Sequence, residues 1–109
     1  MASETRRSRA SEAFFGRRHG KTVRPQQAVA LQAGLARYRL DLSVAPPADL
    51  TGLFSAHVSE VRLEIGFGGG EHLLHEAAAH PGVGFIGVEP FVNGMAKLMR
   101  ALEPQPLPN

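Results

Sequence analysis

The sequence predicts an α/β fold, a doubly wound sheet that is cut off after about two parallel strands and preceded by a basic N-terminal extension. Two apolar runs of strand length, Glu60–Ile65 and Val83–Val88, supply the strands. Each is followed by a segment of helical periodicity, the first from about Gly70 to Ala79 and the second from Pro90 onward. Strand–helix–strand–helix order with short connections is typical of parallel sheets covered by helices. Because the second run is nearly all apolar, we expect it to be buried on both faces.

Composition divides the chain into three regions, a basic and flexible arm (1–24), an N-terminal helix and loop (25–59) and the sheet region (60–109). Proline in the first turn of a helix is well tolerated, which favours a helix start at Pro25. The middle region is predicted to contain, in order, a weakly amphipathic helix over Gln26–Tyr38, a short extended piece over Leu40–Val44, and a loop with one helical turn over Asp49–Ser59.

Charge is distributed unevenly along the 109 residues. Residues 1–24 hold seven basic and two acidic side chains, a net charge of +5, whereas residues 25–109 hold five basic and eight acidic ones, a net charge of −3. A basic arm on an acidic body is typical of a protein that binds a polyanion. The absence of cysteine, of a membrane-length apolar run and of a secretory signal favours a cytoplasmic protein without disulfides or a membrane partner.

The arm carries one compact cluster, Phe14–Lys21, in which two phenylalanines precede Arg17, Arg18 and Lys21. Aromatic and basic side chains together suit base stacking and phosphate contact, so these three basic residues are candidates for RNA binding. The alternative is that the phenylalanines only anchor the arm to the body, and the sequence leaves both interpretations open.

The candidate ligand site is the turn after the first strand, where the glycines are spaced Gly66-x-Gly68-x-Gly70 and Glu64 precedes them. A dinucleotide fingerprint requires a glycine at the sixth position, which is Glu71 here. The shorter pattern after an acidic strand end resembles the first motif of S-adenosylmethionine-dependent methyltransferases with a Rossmann-like fold.

Each of these groups suits one part of such a ligand. Backbone N–H groups at the turn and at the following helix N-terminus can bind a carboxylate, and glycines permit the close approach and the turn angles. Glu64 supplies negative charge for the ammonium group, and Glu89, at the end of the second strand, can accept from both ribose hydroxyls. Parallel strands end at one sheet edge, so we expect both carboxylates at the edge where open α/β folds bind ligands.

Two other kinds of site are disfavoured. His72, Glu76 and His80 recur at a helical spacing that could chelate a metal, but they lie opposite the apolar stripe of their helix, so we expect solvated side chains and no metal site. No serine has a neighbouring His/Asp arrangement that would indicate a catalytic nucleophile.

Four segments resemble the bacterial tRNA (guanine-N7-)-methyltransferase family, namely Leu63–His72, Phe85–Phe91, Phe15–Lys21 and Gln26–Gln27. The resemblance implies transfer of the methyl group of S-adenosyl-L-methionine to N7 of a guanine in the tRNA variable loop. It also implies that Glu64 and Glu89 bind the cofactor, together with the turn of Gly66, Gly68 and Gly70. Residues 60–109 would then be the first half of the S-adenosylmethionine-binding domain.

The same resemblance implies an N-terminal fragment, because the family's third cofactor-contacting acid, its catalytic aspartate and its later tRNA contacts have no counterpart in 109 residues. We therefore expect no catalytic residue within the chain and no methylation by the chain alone. Two parallel strands are also few for an independent sheet. Two alternatives stay open, a fragment of an NAD-type Rossmann oxidoreductase, which Glu71 disfavours, and a non-catalytic RNA-binding piece whose basic arm is its working part.

Overall fold

The computed structural model describes residues 22–109, and this part of the chain is a small α/β fold. Its elements are, in order, α1 (Pro25–Tyr38), a 3-10 helix (Leu50–Leu53), β1 (Glu60–Ile65), α2 (Glu71–Ala79), β2 (Val83–Val88) and α3 (Val92–Leu102). The predicted alternation of strands and helices is confirmed, and both strands have the predicted bounds. None of the helices within residues 22–109 combines the length and the apolar character needed to cross a membrane.

The two strands pair in parallel over their full lengths. The register runs from Glu60 opposite Val83 to Ile65 opposite Val88, so both strands end at the same level. A parallel pair needs a crossover connection, and α2 supplies it. The residues that follow the two strands, Gly66 and Glu89, therefore begin at one edge of the sheet.

The core lies on one face of the sheet. Its buried cluster consists of Phe67, Leu73, Leu98, Met99 and Leu102, with Phe85 of β2 packed against it. Side chains alternate along a strand, so Gly87 shares this face with Phe85. A Cβ at Gly87 would lie 2.9 Å from the side chains of both Leu73 and Phe67, and the glycine thus lets α2 pack close to the sheet.

The first helix, α1, packs against α3 on the outside of this core. Leu31, Leu35 and Tyr38 contact the buried cluster. The two helices approach each other closely at Gly34, where a Cβ would lie 2.3 Å from Met99 Sδ. Helix α3 begins at Val92, two residues later than the predicted start at Pro90.

The other face of the sheet is largely uncovered within the described residues. Leu63, Ile65 and Val88 share this face and are 61%, 74% and 44% exposed, respectively. Gly84, farther back on the same face, is covered by the ring of Phe54, which would lie 2.5 Å from a Cβ there. The expectation that β2 is buried on both faces is therefore wrong at its carboxyl end, because the described α-helices pack on the opposite face and Phe54 covers only the start of the strand.

The segment after α1 also departs from the prediction. Leu40–Val44 forms a turn rather than an extended piece, because the Asp41 carboxylate accepts hydrogen bonds from the N–H (2.9 Å) and the hydroxyl (2.6 Å) of Ser43. Such a side-chain contact satisfies the backbone without a neighbouring strand. Asp49 makes the same kind of contact with Thr51 at the 3-10 helix, which is the helical turn expected in this loop.

Asn109 holds the segment after α3 against the outer edge of β2. Its Nδ2 donates to the backbone oxygens of Ala77 (2.9 Å), His80 (3.0 Å) and Val83 (2.9 Å). Its backbone oxygen accepts from the N–H of Phe85 at 2.7 Å. Since alternate residues of a strand face opposite edges, this bond uses the edge of β2 that β1 leaves free. Asn109 thus ties β2 to the end of α2.

Candidate functional site

The glycine turn, residues 66–70, leaves β1 and leads directly into α2. Gly66, Gly68 and Gly70 have positive φ angles of 79°, 63° and 83°, in the left-handed region that strains residues with a side chain. The alternate glycines are thus a conformational requirement at each of the three positions. The Gly66 N–H donates to Val88 O at 2.7 Å, which joins the turn to the end of β2.

Open space adjoins two of these glycines. A Cβ at Gly66 or Gly68 would meet no atom within 4 Å, so the backbone is accessible there. At Gly70 a Cβ would lie 2.6 Å from Leu98 Cδ1, so this glycine is needed for packing as well as for its φ angle. The turn therefore borders open space at Gly66 and Gly68 and packs against the core at Gly70.

Glu89 reaches from the end of β2 to the glycine turn. Its Oε1 accepts from the Gly68 N–H at 2.6 Å, and its Oε2 accepts from the Phe91 N–H at 3.1 Å. A carboxylate offers about four acceptor positions, so these two bonds fix the side chain and leave acceptor capacity for a ligand. The second-strand carboxylate is thereby positioned beside the turn.

Glu64 lies on β1 opposite Gly87, two residues before the turn begins, and is half-buried. Within residues 22–109, no hydrogen bond or ion pair joins its carboxylate to another side chain. Its negative charge is therefore not neutralised by a partner from the described chain and remains available to a cationic group at this edge of the sheet.

Hydrogen bonding narrows the place where a ligand carboxylate can bind. The N–H groups of Gly66, Gly68 and Gly70 already donate within the protein, to Val88, Glu89 and Phe67. These three N–H groups are therefore occupied, and the start of α2 is the second group of donors predicted from the sequence. The N-cap residue of this helix is a glycine and gives no side-chain bond. The first N–H groups of a helix lack intrahelical partners and carry partial positive charge.

One face of α3 supports the glycine turn. A Cβ at Gly94 would lie 2.1 Å from Gly68 O, and Lys97, one turn later, has its Cδ 2.8 Å from where a Cβ of Gly69 would be. Helical periodicity from Pro90 onward predicted this helix, but the contacts of Gly94 and Lys97 with the turn were not predicted. The available signal was the glycine itself, since glycine inside a helix costs about 1 kcal/mol relative to alanine and often marks a close backbone approach.

Lys97 forms an ion pair with Glu71, the first residue of α2, with 2.5 Å between Nζ and Oε1. The hydrogen bond from Lys97, followed by one from the backbone N–H of Glu71 and by the lysine charge, lowers the pKa of the Glu71 carboxyl below its ordinary value of 4.5. The carboxylate is therefore ionised at neutral pH. The side chains of Lys97 and Glu71 are 62% and 70% exposed, so the pair lies on the surface beside the turn.

The other groups singled out in the sequence do not converge on the turn. The Glu76 carboxylate lies 3.4 Å from His80 Nε2 and 3.7 Å from Arg62 Nη1, on the outer surface of α2. No three side chains of the metal-ligating types cluster within residues 22–109. A broad cleft beside Leu35, Arg39 and Leu42 belongs to the end of α1 and shares no residue with the turn. Outside the described residues lie the candidate RNA-binding residues Arg17, Arg18 and Lys21.

Comparison with known proteins shows which proteins this chain resembles. A family model described as "Putative methyltransferase" matches residues 59–109. Three relatives are named tRNA (guanine-N(7)-)-methyltransferase and come from Mesorhizobium japonicum, Chelativorans sp. and Rhizobium meliloti. Their sequence identities to this chain are 65%, 60% and 58%, and the alignments cover 100%, 98% and 98% of the chain, respectively. The chain covers 47%, 46% and 46% of these proteins, so it spans about half the length of the curated relatives it matches. No solved structure matches the chain.

Proposed function

We propose that the chain belongs to the tRNA (guanine-N(7)-)-methyltransferase family, that it is the N-terminal part of such an enzyme and that it binds S-adenosyl-L-methionine as the methyl donor. Residues 60–109 form the first half of the cofactor-binding domain, residues 25–59 its preceding helix and loop, and residues 1–24 a basic arm. The observation that carries this proposal is the turn of three left-handed glycines, joined to the next strand by Glu89.

The site residues suit the chemical groups of this cofactor. The open backbone beside Gly66 and Gly68 admits a ligand at the strand ends. Glu89 is held by two N–H groups and keeps acceptor capacity for the two ribose hydroxyls. Glu64 supplies negative charge for the ammonium group, and the start of α2 supplies N–H groups for the carboxylate. Gly70 completes the turn by allowing α2 to begin against α3.

We further propose that the strands are the start of a Rossmann-like, doubly wound sheet. In such a sheet, helices cover both faces, and ligands bind at the carboxyl ends of the strands. The exposed Leu63, Ile65 and Val88 support this, because they form an apolar surface on the face that further helices would cover. The contact of Asn109 with the outer edge of β2 supports continuation of the sheet on that side.

The proposed reaction methylates N7 of a guanine in the tRNA variable loop. The cofactor supplies an electrophilic methyl group on its sulfonium. Guanine N7 already carries a lone pair, so little base catalysis is needed and the alignment of the two reactants dominates. The described residues contribute the binding and orientation of the donor. Phosphate contacts to tRNA come from Arg17, Arg18 and Lys21, and these contacts weaken as the salt concentration rises. The proposed site of action is the cytoplasm.

Calorimetric titration of the 109-residue chain with S-adenosylhomocysteine tests cofactor binding. Glu89→Gln is expected to weaken binding about tenfold or more, because a charge-assisted hydrogen bond is worth about 1.5–3 kcal/mol. Glu64→Gln should weaken it less, since only a charge without fixed hydrogen bonds is lost. Glu103→Gln is the matched control, because Glu103 pairs with Arg100 on the surface of α3 and does not contact the turn.

Two outcomes would contradict the proposal. Binding of NAD without any response to S-adenosylhomocysteine would indicate an oxidoreductase fragment instead. RNA affinity that is unchanged by Glu64→Ala and by added cofactor, in a chain that binds no S-adenosylhomocysteine, would indicate a non-catalytic RNA-binding piece. Circular dichroism of each variant establishes that the fold is intact.

A further inference from the structure

The Glu71–Lys97 pair lies over the glycine turn, directly beside the start of α2. A Cβ at Gly69 would lie 3.0 and 3.1 Å from the two Glu71 carboxylate oxygens and 2.8 Å from Lys97 Cδ, so both side chains fold over the same glycine. An acidic group of the protein therefore lies at the N-terminus of this helix.

The charged groups around the turn are mostly acidic. Glu64, Glu71 and Glu89 contribute three carboxylates, and Lys97 contributes one ammonium group. Phosphate groups carry more negative charge than a single carboxylate and are repelled more strongly by such a rim. A sulfonium nucleoside with an amino-acid tail brings cationic groups along with its one carboxylate. Repulsion of the wrong ligand is a common source of specificity.

We propose that Glu71 and Lys97 together determine the ligand class of this site, Glu71 by excluding ligands with a phosphate tail and Lys97 by binding, together with the first N–H groups of α2, the single carboxylate of an amino-acid tail. An ammonium group has three donors, and Glu71 uses one of them, so the others can reach a ligand. The exposure of both side chains keeps them accessible. This inference rests on the proposed function, because it takes the turn to be the cofactor site.

The test compares two probes that share an adenosine and differ in the tail, S-adenosylhomocysteine and ADP, each titrated calorimetrically into the 109-residue chain. In Glu71→Gln, the ratio of ADP affinity to S-adenosylhomocysteine affinity should rise roughly two- to fivefold, the size expected for an exposed charge at a helix N-terminus. Lys97→Met should lower the affinity for S-adenosylhomocysteine by a similar factor. Glu103→Gln, which removes the carboxylate of the ion pair at the end of α3, should leave the ratio unchanged.

Salt dependence separates a charge effect from a packing effect. Since exposed charges are screened, the change caused by Glu71→Gln should shrink in 1 M salt, where the Debye length is about 3 Å. An unchanged ratio in Glu71→Gln, an equal change in Glu103→Gln, or unaltered binding in Lys97→Met would overturn the inference and leave the proposed function intact. A wild-type chain that binds no S-adenosylhomocysteine would overturn the proposed function, and this inference with it.

Discussion

The substitution Gly94→Ala measures how tightly α3 supports the glycine turn. The added Cβ would lie 2.1 Å from Gly68 O, roughly 1.2 Å short of an ordinary carbon–oxygen contact of about 3.3 Å. The obstacle is a backbone oxygen in a turn held by Glu89, so it cannot rotate away as a flexible side chain can. We expect a steric cost of about 2–3 kcal/mol, near the upper end for an overpacked site.

Helix propensity acts in the opposite direction, so the sign of the change in stability shows whether the steric cost is the larger effect. Alanine is more favourable than glycine in a helix by at most about 1 kcal/mol. The expected net result is therefore a loss of about 1–2 kcal/mol in the free energy of unfolding, measured by urea denaturation followed by circular dichroism. For a domain of this size, this corresponds to a melting temperature lower by roughly 5–10 °C. S-adenosylhomocysteine affinity should fall as well, because the turn is displaced.

Gly82→Ala provides the control for this experiment. A Cβ at Gly82 would meet nothing within 4 Å, and its φ angle is not positive, so stability should change by less than about 0.5 kcal/mol. If Gly94→Ala is as stable as the wild-type chain or more stable, the gain in helix propensity equals or exceeds the steric cost of the added Cβ. The close contact between α3 and the turn would then be refuted, together with the role of α3 in positioning the site.

Three further predictions follow from contacts of the described residues. Asn109→Ala should lower the free energy of unfolding by about 1–3 kcal/mol in urea denaturation, because three backbone oxygens lose their donor, and Asn109→Asp should be no better because it cannot donate. Gly66→Ala should cost about 1–2 kcal/mol for its left-handed φ, and Gly66→Asn should cost less in the same measurement, because asparagine tolerates that region. The Glu71–Lys97 pair should stabilise the fold above pH 4.5, the ordinary pKa of the carboxyl, and lose this effect as the pH falls through the lowered pKa of the folded state. Melting curves against pH should therefore show a smaller acid-induced loss in Lys97→Met than in the wild-type chain, and equal losses would refute the pairing.

Local patterns were sufficient to predict the regular elements of the sheet region. The apolar runs and the glycines and prolines that bound them placed β1 and β2 at their observed residues, because strand formation here follows the lengths of those runs. Prediction failed where a distant or short-range polar contact decided the outcome. Leu40–Val44 became a turn through the Asp41 contact with Ser43, which no periodicity indicates.

Burial was less predictable than secondary structure. The apolar character of β2 indicated two covered faces, yet Val88 is 44% exposed, because the described α-helices lie on one side of the sheet. Which face a helix covers depends on the path of its crossover and not on the strand's own residues. The sequence therefore indicated that an apolar face exists, while the fold decided which face is covered.

The sequence by itself determined the conformation of the glycine turn, because a positive φ angle at Gly66, Gly68 and Gly70 is a property that glycine carries locally. It also placed Glu64 and Glu89 at one sheet edge, since parallel strands of equal length end together. Only the tertiary structure brought Gly94 against Gly68 and joined Lys97 to Glu71 across 26 residues of chain. Those contacts depend on the packing of α3 beside α2, and no local pattern encodes the distance between two helices.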